Sequence, residues 1–192
     1  MYDIRRDLAY IEASDSEKTA MVLRDRMRQV LPAKWRASHG EGNYDVGTGL
    51  YLHGSLGTGK TYEAAGIAAK CISDTIEEGY LRVWWVSTAD WLFSLRASYN
   101  GGEELEMPLY GLKLLVIDDI GVEKPSDWAR EALYVLVNRA YEAEIPTVVT
   151  SNLGFGALSD HIGPRIVDRL VEMCRPIEMG GPSRRVATRE AS

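Results

Sequence analysis

Cysteine and histidine are scarce in this chain of 192 residues, and what there is stands far apart: Cys71 and Cys174, then His39, His53 and His161. Such spacing makes neither a disulfide framework nor the paired ligands of a zinc site, so reduced thiols and no His/Cys metal centre are expected. Long apolar runs are also missing. No window approaches the ~18 consecutive apolar residues of a membrane span, and the opening MYDIRRDLAYIEASDSEK alternates charge with apolar residues where a secretory segment would be apolar. A soluble, cytoplasmic protein without a membrane partner is expected. An overall basic excess is lacking too: the formal net charge is −6, which argues against a general nucleic-acid coat. Positive charge instead gathers at the ends. Residues 1–40 carry 8 Lys/Arg against 6 acids, residues 165–192 carry 6 against 4, and the middle carries 8 against 18.

What is present has the size of one ordinary globular domain with a short appendage, 45% of it hydrophobic. Ser14 and Glu17 make a capping-box pattern, and Ala20, Leu23, Met27, Val30 and Leu31 recur at helical spacing until Pro32. This amphipathic helix packs on the domain behind it or offers a face to a partner; both readings are open. The Gly-rich, polar stretch Ser38–Gly49 is the one internal boundary, which divides the chain into a helical extension, 1–40, and a main domain, 41–192. Beyond it, apolar runs at Leu50–His53, Leu81–Val86, Leu112–Ile117, Pro146–Thr150 and Pro176–Met179 predict strands. Helical patterns lie between them at Lys60–Glu77, Thr88–Tyr99, Asp127–Ala143 and Pro164–Met173. Strands separated by helices, with near-continuous apolar runs such as LKLLVID, predict an α/β fold: a parallel five-stranded sheet covered on both faces.

Directly after the first strand stands GSLGTGKT: Gly54, Ser55, Leu56, Gly57, Thr58, Gly59, Lys60 and Thr61, followed by Tyr62. It fits G-x-x-x-x-G-K-[ST] at every defined position, between a strand and a helix. Glycines let backbone N–H groups turn toward phosphate oxygens, and the following helix adds its positive end. Lys60 then supplies a charge to the β- and γ-phosphates of ATP, and Thr61 a hydroxyl to Mg²⁺. Next, LLVIDDIG brings two carboxylates to the C-terminal end of a strand, the end where ligands sit in open α/β sheets. Asp118 is expected to hold Mg²⁺ and Asp119 to orient or deprotonate the attacking water. The strand PTVVTSN ends in Asn152, which either hydrogen-bonds the γ-phosphate and water or forms a turn. In GPRIVDRL, Arg165 and Arg169 share a helix face. They pair with acids of their own helix such as Asp168, or one reaches a neighbouring subunit's γ-phosphate.

Taken in order, GSLGTGKT, LLVIDDIG, NRAYEAEIPTVVTSNL, GPRIVDRL and GGPSRR resemble the AAA+ ATPases of the DnaC-type replicative helicase loaders and their IstB-type relatives that assist transposases, over about residues 44–189. The resemblance implies a P-loop NTPase of the ASCE type without a C-terminal helical lid domain. It implies ATP and ADP as ligands with Mg²⁺, slow ATP hydrolysis stimulated by DNA or a partner, and self-assembly. It also makes a replicative helicase or a transposase the partner, Asn152 the sensor-1 residue, Arg169 the arginine finger with Arg165 close by, and Arg185 sensor-2-like. A P-loop small-molecule or nucleotide kinase would share the loop, but no insertion long enough for a mobile lid is present. Finally, Arg96 and Tyr99 stand three apart on the helix STADWLFSLRASYN, a cation and a ring on neighbouring turns. Single-stranded DNA needs that pairing, and the resemblance places a basic and an aromatic residue in the same positions; alternatively Tyr99 closes the apolar face and Arg96 is solvated.

Overall fold

Along each central strand, successive residues divide between two cores. Leu50 and Leu52 enter one and Tyr51 the other; Leu114 and Val116 are set against Leu115 and Ile117, and Val148 against Val149. Period-2 alternation with both sets apolar is what a sheet covered on both faces requires. The computed structural model describes residues 15–35, 47, 49–75, 82–99, 107–122, 124 and 126–184. Its elements run α1 (Asp15–Val30), β1 (Leu50–His53), α2 (Lys60–Asp74), β2 (Val83–Ser87), α3 (Thr88–Tyr99), β3 (Leu114–Ile120), α4 (Asp127–Glu142), β4 (Thr147–Ser151), α5 (Phe155–Ile162), α6 (Pro164–Met173) and β5 (Arg175–Glu178).

The five strands form one parallel sheet in the order β2-β3-β4-β1-β5. Helix α2 covers one face, with Ala64, Ala65, Ala68 and Ile72 buried on Leu50, Val83, Val116 and Val148. Leu23, Met27, Val30 and Leu31 from α1 and the residue after it close that layer. Helix α1 therefore packs its apolar stripe on the domain. Arg26 adds a hydrogen bond from Nη1 to the Thr75 carbonyl at the end of α2, 3.1 Å. Helices α3 to α6 cover the other face around Leu92, Leu133, Leu136, Leu158 and Leu170. Neither cysteine is in a disulfide, and burial pushes the Cys174 thiol up to about 12.

Several boundaries differ from the sequence pattern by a few residues, and one helix is absent from it. Strand β3 runs on to Ile120, three residues past the predicted end, because it carries a bulge: Ile117 pairs with Val149 and Ile120 with Ser151, so β3 fits one extra residue opposite β4. Helix α2 closes at Asp74, where the Thr75 N–H and hydroxyl both reach the Cys71 carbonyl. Helix α5 matches no expected element: its eight residues lie between Gly154 and Gly163, where the sequence pattern places neither a strand nor a helix. Ser14 of the capping pattern and Leu81 lie outside the described residues, as does most of the boundary stretch 38–49. Among the described residues no helical lid follows β5, and no helix is long and apolar enough to cross a membrane.

Candidate functional site

The loop from Gly54 to Thr61 bends through glycines that no other residue replaces without strain. Gly57 has φ +82°, and a Cβ there would stand 2.1 Å from the Ser183 hydroxyl oxygen. At Gly54 (φ +138°) it would meet the Met179 carbonyl oxygen at 2.3 Å. Two backbone bonds hold the segment after β5 along the loop: Met179 N–H to the His53 carbonyl, 2.7 Å, and Arg184 N–H to the Gly57 carbonyl, 2.9 Å. Glycine is thus required for the close approach of this C-terminal segment as well as for the turn. The Lys60 ammonium, buried, donates to the carbonyls of Gly54 and Ser55, both at 2.8 Å, and the Thr58 hydroxyl donates to the Ser55 carbonyl at 3.0 Å. The curled loop is stitched to its own lysine at the N-terminus of α2, whose orphan N–H groups and dipole favour an anion.

The β3 bulge falls on the two acids. Asp119 takes φ +57°, which turns its exposed carboxylate into the cavity, while Asp118 stays only 8% exposed. One hydroxyl organises both: Thr150 Oγ1 on β4 donates to Asp118 Oδ1 at 2.7 Å and accepts from the Asp119 N–H at 2.8 Å. Thr88, opening α3, holds the Asp118 carbonyl at 2.9 Å. Burial raises the Asp118 carboxyl from 3.8 to about 6. The Thr150 hydrogen bond opposes the rise, the Asp119 charge adds to it, and the Thr61 hydroxyl and Lys60 ammonium pull it back.

A cavity of about 490 Å³ brings Lys60, Thr61, Asp119 and Asn152 together with Arg184. Asn152 follows β4, which lies between β1 and β3, so sheet order carries it between the loop and the acids. Gly57, Gly59, Leu56 and Tyr62 of the predicted set also line this cavity. Arg185 lies outside the described residues, and it is the preceding Arg184 whose guanidinium runs past Gly59. Arg169 lines no part of the cavity. It lies on α6 over the Tyr141 ring, 4.6 Å from its centroid, with Asn138 Oδ1 at 3.4 Å and Glu172 and Asp168 at 3.9 and 4.0 Å. Arg165 is exposed, beside Arg130 and Tyr134 in a separate groove. Arg96 stacks on Trp128, 4.8 Å from the ring centroid, and Tyr99 is 74% exposed. Both line a groove of about 600 Å³ between α3 and α4. Tyr99 therefore does not close the core face, which Trp91, Leu92 and Leu95 fill without it.

Sequence reasoning missed three residues here. Thr150 had a signal, since a polar side chain in a strand otherwise buried on both faces needs a partner. Arg184 was one position from the residue chosen. Trp35, which also lines the cavity, had none, because a turn far ahead of the loop carries no motif.

The donor set suits Mg²⁺. Thr61, Asp118 and Asp119 offer hard oxygen atoms, and a cation beside Asp118 would offset the desolvation that lifts its pKa. Among the described residues no three His, Cys, Asp or Glu side chains form a metal cage of their own.

Comparison with known proteins points the same way. The chain is 28% identical to the replicative helicase loader DnaI of Bacillus subtilis over 155 residues, 72% of this chain and 48% of that protein. It is 29% identical to the loader DnaC of Escherichia coli K12 over 121 residues, 61% of this chain and 47% of that one. It thus spans about half the length of these relatives. Among solved structures, the DnaC helicase loader superposes with a TM-score of 0.60 at 22% identity, covering 88% of this chain and 92% of that one. The fold is therefore the parallel-sheet P-loop fold of AAA+ proteins. The profile described as IstB-like ATP binding protein matches residues 45–192. That span opens just ahead of β1 and holds the loop, the paired acids, the Asn152 strand and Arg184, so the chain belongs to the IstB-like ATP binding family.

Proposed function

We propose that this chain binds ATP with Mg²⁺ on the Gly54–Thr61 loop, hydrolyses it slowly, and uses the bound state as an oligomeric switch in loading a replicative helicase. The observation that carries the reading is the meeting of Lys60, Thr61, Asp119, Asn152 and Arg184 in one cavity at the C-terminal ends of β1, β3 and β4. In it the loop N–H groups and Lys60 hold the β- and γ-phosphates, and Arg184 adds a second cation. Thr61 and Asp118 hold Mg²⁺, which when bound offsets charge on the phosphates. Asp119, exposed and facing the cavity, accepts the proton of the attacking water, and Asn152 orients that water. Arg169, with Arg165 near, completes the site of an adjacent copy. The names of the curated relatives favour helicase loading; membership of the IstB-like family keeps the second reading, a transposase helper, which rests on the resemblance to IstB-type relatives. Single-stranded DNA lies along Arg96 and Tyr99, where Arg96 rests on the Trp128 ring and the exposed Tyr99 lines the same groove.

Calorimetry should show MgATP binding that Lys60→Ala loses by at least tenfold, while Asp119→Asn binds and does not turn over. Parental affinity in Lys60→Ala would reject the loop as the site. ATPase rates with and without single-stranded DNA, with a phosphate-acceptor screen, separate the switch from a kinase. Co-sedimentation with a replicative helicase or a transposase, each with MgATP, separates the two partner readings. Equal DNA affinity in parent, Arg96→Ala and Tyr99→Ala would take α3 out of the DNA path.

A further inference from the structure

Two chemically different sets of side chains line the nucleotide cavity. Lys34, Lys60, Thr61, Asp119, Asn152 and Arg184 are the polar set; Trp35, Tyr62, Leu56 and Val122 are the apolar one. Leu56 is 68% exposed and Val122 52%, so apolar surface is left in water at the rim of a phosphate-binding loop. A polyanion alone has no use for such a rim. A ligand that is a polyanion at one end and a flat apolar ring at the other matches both sets.

Trp35 comes from the turn Ala33–Trp35, closed by its N–H on the Pro32 carbonyl at 2.8 Å. Four residues earlier, Leu31 is 2% exposed in the core under α2, so the turn is anchored at a fixed distance from the loop. The Tyr62 ring, two residues past Lys60, meets Trp35 edge-on with centroids 6.4 Å apart and planes at 74°. That T-shaped contact fixes the indole plane. The Lys34 ammonium stands 4.8 Å from the indole centroid, and both side chains line the cavity. With Lys34 over the ring and Tyr62 at its edge, the indole is held among the side chains that line the cavity. Lys34 and Trp35 precede position 45, where the family match begins.

We propose that Trp35, buttressed by Tyr62, is the surface on which the base of the bound nucleotide stacks, so that a segment outside the family-matched span sets the preference for a nucleoside triphosphate over bare polyphosphate. The proposal rests on the reading of the Gly54–Thr61 loop as the ATP site. Because α1 leads directly into this turn, base binding also bears on how firmly α1 is held against α2.

The test compares MgATP with Mg-tripolyphosphate by calorimetry and tryptophan emission. The parent should bind ATP about tenfold or more tightly than tripolyphosphate, in line with the worth of one base–aromatic stack. Trp35→Ala should lose that margin and keep tripolyphosphate affinity within about twofold, and Trp35→Phe should restore most of it. Emission should respond to ATP in the parent and not in Trp35→Phe, a readout that survives if Trp35→Ala fails to fold. Parental ATP affinity in Trp35→Ala, or equal losses for both ligands, would overturn the proposal. A parent that binds both ligands equally would overturn the stack alone; one that binds neither would overturn the loop reading and the stack with it.

Discussion

Thr150 carries no charge and was not among the expected site residues, yet its single hydroxyl sets the positions of both acids. It is fully buried on β4, gives its proton to Asp118 and receives the Asp119 N–H. The bulge that lets β3 carry two consecutive acids needs this bond, because the extra residue leaves an N–H with no partner in the ladder. Thr150→Val keeps the shape and removes the hydroxyl. It should cost about 1–3 kcal/mol in stability, the penalty of an unsatisfied buried amide, read as a lower thermal midpoint. Loss of the donor should also raise the Asp118 carboxyl further, since this bond is the main influence holding it down. The acid limb of the ATPase pH profile should then move to higher pH, with Thr150→Ser close to the parent. An unmoved limb would show that Thr150 acts on the fold alone.

At the scale of elements, α6 has to be read twice. Its buried face, Ile166, Val167 and Leu170, docks it on the α4 side of the sheet, as its periodicity indicates. On its other face Arg169 ties it to Tyr141 and Asn138 of α4, and the Tyr141 hydroxyl reaches Glu172 at 2.5 Å. An exposed cation–π contact with weak surface pairs is worth about 1 kcal/mol, so Arg169→Ala should lower stability by about that much and Arg165→Ala by less. Action on a neighbouring copy's nucleotide is separable from this tie. Mixing Lys60→Ala with Arg169→Ala protein should restore part of the ATPase activity if sites are shared between chains. No recovery at any ratio, with assembly seen by light scattering, would leave Arg169 with the α4 tie only.

At the scale of the whole molecule, the site is held at a cost in stability. The folded-state pKa of Asp118 is about 6 against 3.8 when it is exposed, so between these values the folded state binds more protons than the unfolded one. Stability is therefore greatest below about pH 4 as far as this group is concerned, and falls as pH rises through about 6, by about 3 kcal/mol at most. Asp118→Asn, which still accepts from Thr150, should gain stability above pH 6 and nothing at pH 4 in thermal unfolding followed by circular dichroism. Saturating MgATP at pH 8 should raise the parent's midpoint more than the variant's. A variant with an unchanged midpoint at pH 8 would show that burial of this carboxylate carries no penalty.

Local order was written in the sequence wherever neighbours along the chain decide it. The octet Gly54–Thr61 announced a glycine-rich turn from strand to helix, the helix α3 began and ended at the predicted residues, and doubly apolar runs such as LLVI announced a parallel sheet. Five spaced motifs together named the family. Tertiary structure decided what depends on distant parts meeting. The β2-β3-β4-β1-β5 order placed Asn152 between loop and acids, and the bulge turned Asp119 toward the cavity. The chain after β5 laid Ser183 and Arg184 against Gly57 and Gly59. The packing of α1 carried Trp35 to the cavity's edge. Periodicity reports which face of an element is buried, because it depends only on spacing along the chain. Which elements share that burial is set by packing across the sheet, and no local spacing encodes it.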